Sequence, residues 1–299
     1  MTTKDTTTTT NQDPPVTTPD ETTKPSFPSD YVRPDVWTFD GDQDGKMGAM
    51  NKPTAGPRFT KALPRGEHDT QLYSIGTPNG MKVTILLEEL NDLKGIEYDA
   101  WKINMFDLDQ FGSEFVNIVN PNSKIPAMLD ISFDPPLRVF ESGNILKYLA
   151  EKYDDAFLPK DPRSRVETFN WLFWNIGTAP LLGGGFGHFY SYAPIHDKYA
   201  IDRYTMETKR QLDVLDKQLK DNEYIAGNGE VTIADFAIWP WIYCIIHFYK
   251  ADTFVELSSY KHLMRWYDQI AERPAVKRGI RVNGFGEDAV TERHSRSDF

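Results

Sequence analysis

The chain has 299 residues, of which 39% are hydrophobic and 13% aromatic, and this length is sufficient for two domains with sizeable cores. Its formal net charge of −11 at pH 7 argues against nucleic acid or an acidic membrane as the main partner. The single cysteine, Cys244, excludes an internal disulfide and any Cys-x-x-Cys redox pair.

The first segment, residues 1–35, is rich in threonine, proline, aspartate and lysine and contains few large apolar residues. Such a composition buries too little apolar surface to offset the entropy lost on ordering, so we predict a disordered tail. The chain has no apolar core of a signal peptide at its start and no run of 18 apolar residues, which favours a cytoplasmic protein. Residues 36–69 are expected to form an irregular arm on the next domain.

Residues 70–153 alternate strand and helix patterns. An apolar strand over 71–75 is followed by the turn Gly76-Thr-Pro-Asn-Gly80, and from Met81 apolar residues recur every three or four positions. Later elements are a strand over 96–103, a short helix over 111–118, two strands in a hairpin, and a helix capped by Ser142. The hairpin strands are Ala127–Asp130 and Leu137–Phe140. This order predicts one sheet with helices on its faces.

After a linker over residues 153–162, strand signals cease. Helical patterns cover 165–174, 197–219, 236–248 and about 259–272, and Thr232-Ile-Ala-Asp235 forms a capping box before the third of these. The glycine-rich stretch 180–190 is predicted to be a loop, and its pattern matches no phosphate-binding motif. We therefore expect an all-α domain over residues 163–285 and a C-terminal tail over 286–299.

The turn at residues 76–80 is the first candidate site. A strand, a tight turn and a helix N-terminus leave backbone N–H groups pointing over the turn, where they can hold an anion. An ordinary strand-to-helix connection would have the same sequence features, so the pattern alone leaves both interpretations open.

The combination of Ile125-Pro126, Glu141-Ser142 and the Thr232–Asp235 box resembles the glutathione transferase superfamily. Three stretches, residues 76–80, 120–126 and 139–143, are similar to the nu class, which comprises glutathione-dependent disulfide-bond reductases and is related to a yeast nitrogen-regulatory prion protein. Residues 171–174, 183–190 and 237–241 resemble the longer members with an N-terminal arm. The resemblance runs from about Val36 nearly to the end. It implies an α/β thioredoxin-like N-terminal domain, an all-α C-terminal domain and a homodimer.

The resemblance also assigns the chemistry. A thioredoxin would carry its Cys-x-x-Cys at residues 77–80, but this chain has no thiol there, so the sulfur must come from bound glutathione. A free thiol has a pKa near 8.5, and lowering it by two units requires about 2.7 kcal/mol, which hydrogen bonds worth about 1.5–3 kcal/mol each can supply. We assign this catalytic role to Thr77 and Asn79, which flank Pro78. The alternative is that Thr77 only caps the helix and Asn79 only forms the turn.

Other residues match glutathione contacts of the family. Glu141 and Ser142 are expected to hold the γ-glutamyl group, although a plain helix cap is the alternative. The backbone of Ile125, before a proline (Pro126) that is cis in the family, is expected to pair with the cysteinyl unit. Lys124 would hold the glycyl carboxylate, or would simply be solvated.

Further matches concern Gln110 and a second glutathione. Gln110 corresponds to a glutamine that contacts glutathione in the family, or else lies in a surface loop. Long members hold two glutathiones per site, and Asn51 and Arg203 match positions implicated in holding the second. The alternatives are that Asn51 is only a turn residue and that Arg203 forms a surface ion pair. Relatives have a glutamine where this chain has Asn175 or Ile176, and this departure affects part of the pocket for the second glutathione. The expected stoichiometry is therefore one or two glutathiones per subunit.

Several residues are assigned to the fold or left open. Cys244 lies in an apolar helix and is expected in the core. The six histidines lack ligand spacing, so no metal is predicted. His188 could line a pocket or pack, and Tyr73 belongs to its strand.

The sequence thus predicts a glutathione-dependent oxidoreductase that reduces small disulfides, with organic peroxide reduction and weak conjugation as further activities. The second hypothesis is a non-catalytic, transferase-like regulator or scaffold protein. The N-terminal tail favours the regulator slightly, whereas the intact set of glutathione contacts favours the enzyme.

Overall fold

The computed structural model describes residues 32, 34–39, 48–50, 52–227 and 229–299. The chain divides into two units, residues 1–40 and 41–299. In the first unit, the exposed rings of Trp37 and Phe39 lie 6.3 Å apart. The predicted disordered tail falls almost wholly outside the described residues.

A four-stranded sheet forms the first half of the second unit. Its strands are β1 (Thr70–Ser74), β2 (Asp99–Lys102), β3 (Ala127–Asp130) and β4 (Leu137–Phe140). Their order across the sheet is β2-β1-β3-β4, with β1 parallel to β2 and the other pairs antiparallel. The single sheet and the hairpin of β3 and β4 agree with the prediction, and the strand directions make the sheet a mixed one.

Seven α-helices lie within the described part of the chain. They are α1 (Pro78–Lys94), α2 (Ser142–Lys152), α3 (Pro162–Pro180), α4 (Lys198–Lys220), α5 (Ile233–His247), α6 (Lys261–Ala271) and α7 (Pro274–Gly279). A π-helix, Leu181–Tyr192, continues directly from α3. Shorter helical turns are Gly48–Met50, Met105–Asp107, Asp109–Phe111, Phe115–Val119, Leu257–Ser259 and Arg296–Asp298.

Two apolar cores lie on opposite faces of the sheet, because successive strand residues point to opposite sides. Leu72 joins the large core, which continues through α1 into the helical half of the protein. Tyr73, the next residue, joins a smaller core with Phe115 and Leu129. Helix α1 packs against α2, α5 and α7, so it is buried along most of its length.

Two predicted details of the helices are wrong. Residues 180–190 are not a loop, because Leu181–Tyr192 is a π-helix, and Ser142 is the first residue of α2 while Glu141 occupies the cap position. Short helix α7 also follows the predicted end of the last helix at residue 272. The capping box at Thr232 is confirmed, since its hydroxyl accepts from the Ala234 N–H and Asp235 accepts from the Thr232 N–H.

The glycines of the π-helix allow aromatic rings to approach its backbone. A Cβ added at Gly185 would lie 2.3 Å from the ring of Tyr204, and one at Gly187 would lie 2.3 Å from the ring of Tyr249. The missing side chains therefore explain why a stretch with low intrinsic helix propensity is helical here.

Replacing Gly187 by alanine should destabilise the protein by about 1–3 kcal/mol, because the new methyl group collides with the buried ring of Tyr249. Denaturant unfolding measures this difference. Gly184→Ala is the matched control in the same helix, since a Cβ there meets nothing within 4 Å. Equal stability of the two variants would contradict the packing argument.

The C-terminal segment, residues 281–299, packs on the sheet domain. Arg293 exchanges two backbone hydrogen bonds with Ala100, of 2.7 and 3.1 Å, and the Asn283 carbonyl accepts the Gly76 N–H at 2.9 Å. Arg293 is fully buried, with Glu88 Oε1 3.2 Å from its Nε and Glu97 Oε2 2.5 Å from its Nη1. The segment that we predicted to be a tail from residue 286 is thus in contact with β2. The other predicted domain limits stay predictions.

Candidate functional site

The turn after β1 is built by local backbone chemistry. Thr77 is the N-cap of α1, and its hydroxyl accepts the Gly80 N–H at 3.3 Å. Pro78 suits the first helical position, because its fixed φ is helical and no N–H is lost there. Gly80 is required, since a Cβ at this residue would lie 2.1 Å from the Ile75 carbonyl oxygen. The Asn79 side chain makes no hydrogen bond within the described residues, so it is available to a ligand.

Two adjoining cavities lie over this turn, with volumes of about 430 and 290 Å³. Both are lined by Asn79 and Lys124 from the sheet domain and by Gly183 and Trp241 from the helical half. A third pocket of about 180 Å³ extends along Asn120, Ile125 and Pro126. The cleft thus lies between the two halves of the second unit.

The structure brings most of the predicted site residues together. Nine line one or more of these three cavities: Thr77, Pro78, Asn79, Gln110, Lys124, Ile125, Pro126, Glu141 and Ser142. Asn51 lies outside the described residues, although its neighbour Met50 lines two of the cavities. Arg203 is exposed on α4 and does not line them.

The start of α2 forms one end of the cleft. Glu141 has a φ of +69°, a strained conformation for a residue with a side chain, and this directs the chain into the first turn of α2. Ser142 follows within the cleft, and its hydroxyl lies 3.5 Å from the Lys82 ammonium. Backbone N–H groups at a helix N-terminus attract carboxylates. This end of the cleft therefore fits an anionic group.

The middle of the cleft offers backbone groups and an amide. The Ile125–Pro126 peptide bond is cis, and the preceding loop is held by Asn120, whose side-chain amide donates to the Lys124 carbonyl at 2.8 Å. Gln110 is 5% exposed, and its Oε1 has no hydrogen-bond partner within the described part of the chain. A buried polar atom of this kind needs a partner, so a peptide-like ligand fits here.

The wall opposite the turn is aromatic. Tyr192, Trp241, Phe248 and Phe285 line the smaller cavity, together with Met105. The sequence did not single out these residues as site residues, because an aromatic residue in a helix usually belongs to the core. Lys82, which the sequence also missed, lines the larger cavity. The sequence signal that could have identified Lys82 is its position as a lysine among the apolar residues of α1.

Cys244 is buried beside the smaller cavity, and burial raises the pKa of its thiol to about 12. The thiolate fraction at pH 8 is therefore about one in ten thousand. Cys244 thus belongs to the core, as predicted, and does not supply a nucleophile.

Alkylation of Cys244 in the folded protein should be slow and should accelerate about tenfold per pH unit between pH 7 and 9 without a plateau. Only the thiolate reacts, and its fraction rises tenfold per unit far below the pKa. Mass spectrometry after timed iodoacetamide treatment measures the rate, with urea-unfolded protein as the control. A plateau near pH 8.5 in the folded protein would contradict the raised pKa.

No helix among the described residues has the length and apolar character needed to cross a membrane. Within the same part of the chain, no three histidine, cysteine, aspartate or glutamate side chains are grouped so that they could hold a metal ion.

Comparison with known proteins identifies the class. Residues 69–151 match the glutathione S-transferase N-terminal domain, and residues 186–274 match the glutathione S-transferase C-terminal domain. The chain therefore belongs to the glutathione transferase family, and the predicted thioredoxin-like and all-α fold class is confirmed.

Individual relatives are more specific. The chain is 56% identical over 276 residues to the disulfide-bond oxidoreductase YghU of Escherichia coli K12, covering 90% of this chain and 95% of that protein. The crystal structure of glutathione transferase YghU from Streptococcus pneumoniae, complexed with glutathione, is 54% identical with a TM-score of 0.81, over 85% of this chain and 98% of that one. A family member from Pseudomonas fluorescens, with two glutathiones bound, is 41% identical with a TM-score of 0.66, over 71% and 92% of the chains.

Proposed function

We propose that this protein is a glutathione-dependent oxidoreductase that reduces small disulfides. The observation that carries the proposal is the turn itself: the Thr77 hydroxyl, the unpaired Asn79 side chain and the N-terminus of α1 face one cleft that contains no reactive protein thiol. The name and the glutathione complex of the two YghU relatives support the same conclusion.

Each part of the cleft has a role in this proposal. Bound glutathione supplies the thiol, and the overall exchange converts two glutathiones and one disulfide into glutathione disulfide and two thiols. Thr77 and Asn79 donate hydrogen bonds to the thiolate sulfur, and the α1 N-terminus adds positive potential. The backbone of Ile125 pairs with the cysteinyl unit, while Lys124 holds the glycyl carboxylate.

Two remaining contacts complete the first tripeptide. Gln110 uses its unpartnered amide oxygen to accept a backbone N–H of the ligand. Glu141 and Ser142 hold the γ-glutamyl amino group and carboxylate at the start of α2. The anion-binding end of the cleft and the unpartnered amide oxygen of Gln110 are the features of this structure that fit glutathione.

In this proposal the second glutathione and the substrate lie against the aromatic side chains of the smaller cavity, beside the part of the first glutathione that contacts Thr77, Gln110 and Ile125 there. The two cavities share Asn79, so sulfur atoms in both can approach the same residue. The Pseudomonas fluorescens relative was crystallised with two glutathiones. Asn51 and Arg203 stay candidates for holding the second molecule.

We further propose a cytoplasmic homodimer. The cytosolic glutathione pool supplies the reductant that the reaction consumes. Phe133 and Leu137, near and in β4, and Val166 and Phe173, seven residues apart on α3, are exposed apolar side chains of the kind found at subunit interfaces. Sedimentation equilibrium should give twice the chain mass.

The test of the activity uses purified full-length protein with 2-hydroxyethyl disulfide and glutathione, coupled to glutathione reductase. We expect a rate above the uncatalysed exchange, and calorimetry should count the glutathiones per subunit. Tight glutathione binding without turnover would overturn the enzymatic proposal in favour of a transferase-like regulator. A stoichiometry of one would overturn the two-glutathione arrangement alone.

A further inference from the structure

Lys82 is an unusual residue for the interior of a helix. It lies one turn into α1, its side chain is completely buried, and it reaches the cleft next to Asn79 and Ser142. A buried ammonium is costly unless it is paired with an anion or well hydrogen-bonded. The residue therefore requires an explanation beyond packing.

The protein partners of Lys82 are neutral. Its Nζ donates to the Asn175 Oδ1 at 2.7 Å and lies 3.5 Å from the Ser142 Oγ, close to the limit of a hydrogen bond. Asn175 is itself buried in α3, so the contact joins the sheet domain to the helical half. Asn175 thus supports Lys82 and does not line the cleft cavities.

Among the residues that the structure describes, Glu141 is the acidic side chain whose charge acts on Lys82. Burial lowers the pKa of the Lys82 ammonium to about 7, and the nearby Glu141 carboxylate opposes that shift only in part. Glu141 is exposed, so much of its charge is screened by solvent. Without a ligand, the positive charge at this end of the cleft is incompletely compensated.

We propose that Lys82 is the counter-charge for the α-carboxylate of the γ-glutamyl group, and that Asn175 is its positioning residue. This inference rests on the proposed function, because it names the ligand group that the same cleft selects. A carboxylate that accepts from Ser142 comes within reach of the Lys82 ammonium and completes its hydrogen bonding. The site then favours tripeptides that carry an α-carboxylate on their first residue over those that lack it.

The ligand pair that tests this is glutathione and its analogue 4-aminobutanoyl-cysteinyl-glycine, which lacks only the α-carboxylate. The wild-type protein should bind glutathione about tenfold to a hundredfold more tightly than the analogue, as expected for a hydrogen-bonded charge pair. Calorimetry on the full chain gives both dissociation constants. Because this measurement of binding does not require turnover, a failure of the Lys82 proposal can be distinguished from a failure of the proposed reductase activity.

In Lys82→Met, the preference for glutathione should fall to about threefold or less, with both ligands bound at the level of the analogue. Asn175→Leu keeps the lysine but removes its support, so it should reduce the same preference partially and raise KM for glutathione more than it lowers kcat. Lys94→Met is the matched control: Lys94 lies at the exposed end of the same helix, paired with Asp154.

The outcomes separate cleanly. Loss of the carboxylate preference in Lys82→Met, with Lys94→Met unchanged, supports the proposal. Full retention of the preference in Lys82→Met overturns it and assigns the lysine to packing. If Lys82→Met does not fold, an undiminished preference in Asn175→Leu overturns the positioning role, and an unshifted preference in Lys82→Gln overturns the counter-charge.

Discussion

Replacing Thr77 and Asn79 together by alanine should lower the disulfide reductase rate at pH 7 roughly 25-fold while glutathione still binds. The two side chains are expected to hold the pKa of the bound thiol about two units below its free value. Without them the thiolate fraction at pH 7 falls from about three quarters to about 3%. The pH profile of kcat/KM measures the shift directly, because its acidic limb should move upward by about two units.

Thr77→Ser is the control for this experiment. Thr77 also caps α1, and the loss of a cap alone costs about 1 kcal/mol of stability. Serine retains both the cap and the hydroxyl, so this variant should keep the wild-type pH profile. An unchanged profile in the double alanine variant, with full activity, would remove both residues from the catalytic role.

Glu88→Gln should destabilise the protein by about 3–5 kcal/mol. Glu88 is fully buried in α1, where it accepts from the Arg278 Nε at 2.7 Å and from the Tyr98 hydroxyl at 2.8 Å, and it lies beside Arg293. A neutral glutamine removes one of the two counter-charges of the fully buried Arg293, which keeps Glu97, and one of the two of Arg278, which keeps Asp92. Urea unfolding followed by tryptophan fluorescence gives the free energy difference.

The double variant Glu88→Met/Arg293→Met should be more stable than Glu88→Gln, because replacing both members of a buried pair removes the unpaired charge. Arg278 keeps its contact with Asp92, at 2.7 Å, in this variant. Strict additivity of the single substitutions would show that the charges do not interact. Lys217→Met on the exposed face of α4 controls for the loss of a surface ion pair and should cost less than about 1 kcal/mol.

Sequence patterns predicted the sheet and the turn well, because their signals are local. Strands β3 and β4 have the predicted limits, and Gly80 is needed for reasons visible within five residues of it. Glycine-rich stretch 180–190 was predicted wrongly, because glycine disfavours a helix locally. Its helicity depends on rings of Tyr204 and Tyr249 that are distant in sequence.

The same distinction applies to the cleft. Eight of the predicted residues could be placed by motif, since they belong to the turn, to the Lys124-Ile125-Pro126 stretch or to the start of α2. Gln110 was placed by its match to the family. Lys82 could not be recognised from its neighbours, because its partner Asn175 is 93 residues away on another helix. Contacts between side chains of the two halves of the fold can be identified only from the three-dimensional structure.

The C-terminal segment has a consequence for how the protein is made. The Gly76 N–H, in the turn after β1, and the Ala100 backbone of β2 are both satisfied by residues that are synthesised much later, Asn283 and Arg293. Domains usually fold in order during translation. In this chain the sheet domain cannot acquire its final structure until residues 283–293, far along the sequence, have been synthesised, so loss of that segment would leave the Gly76 N–H in the turn after β1 without its partner.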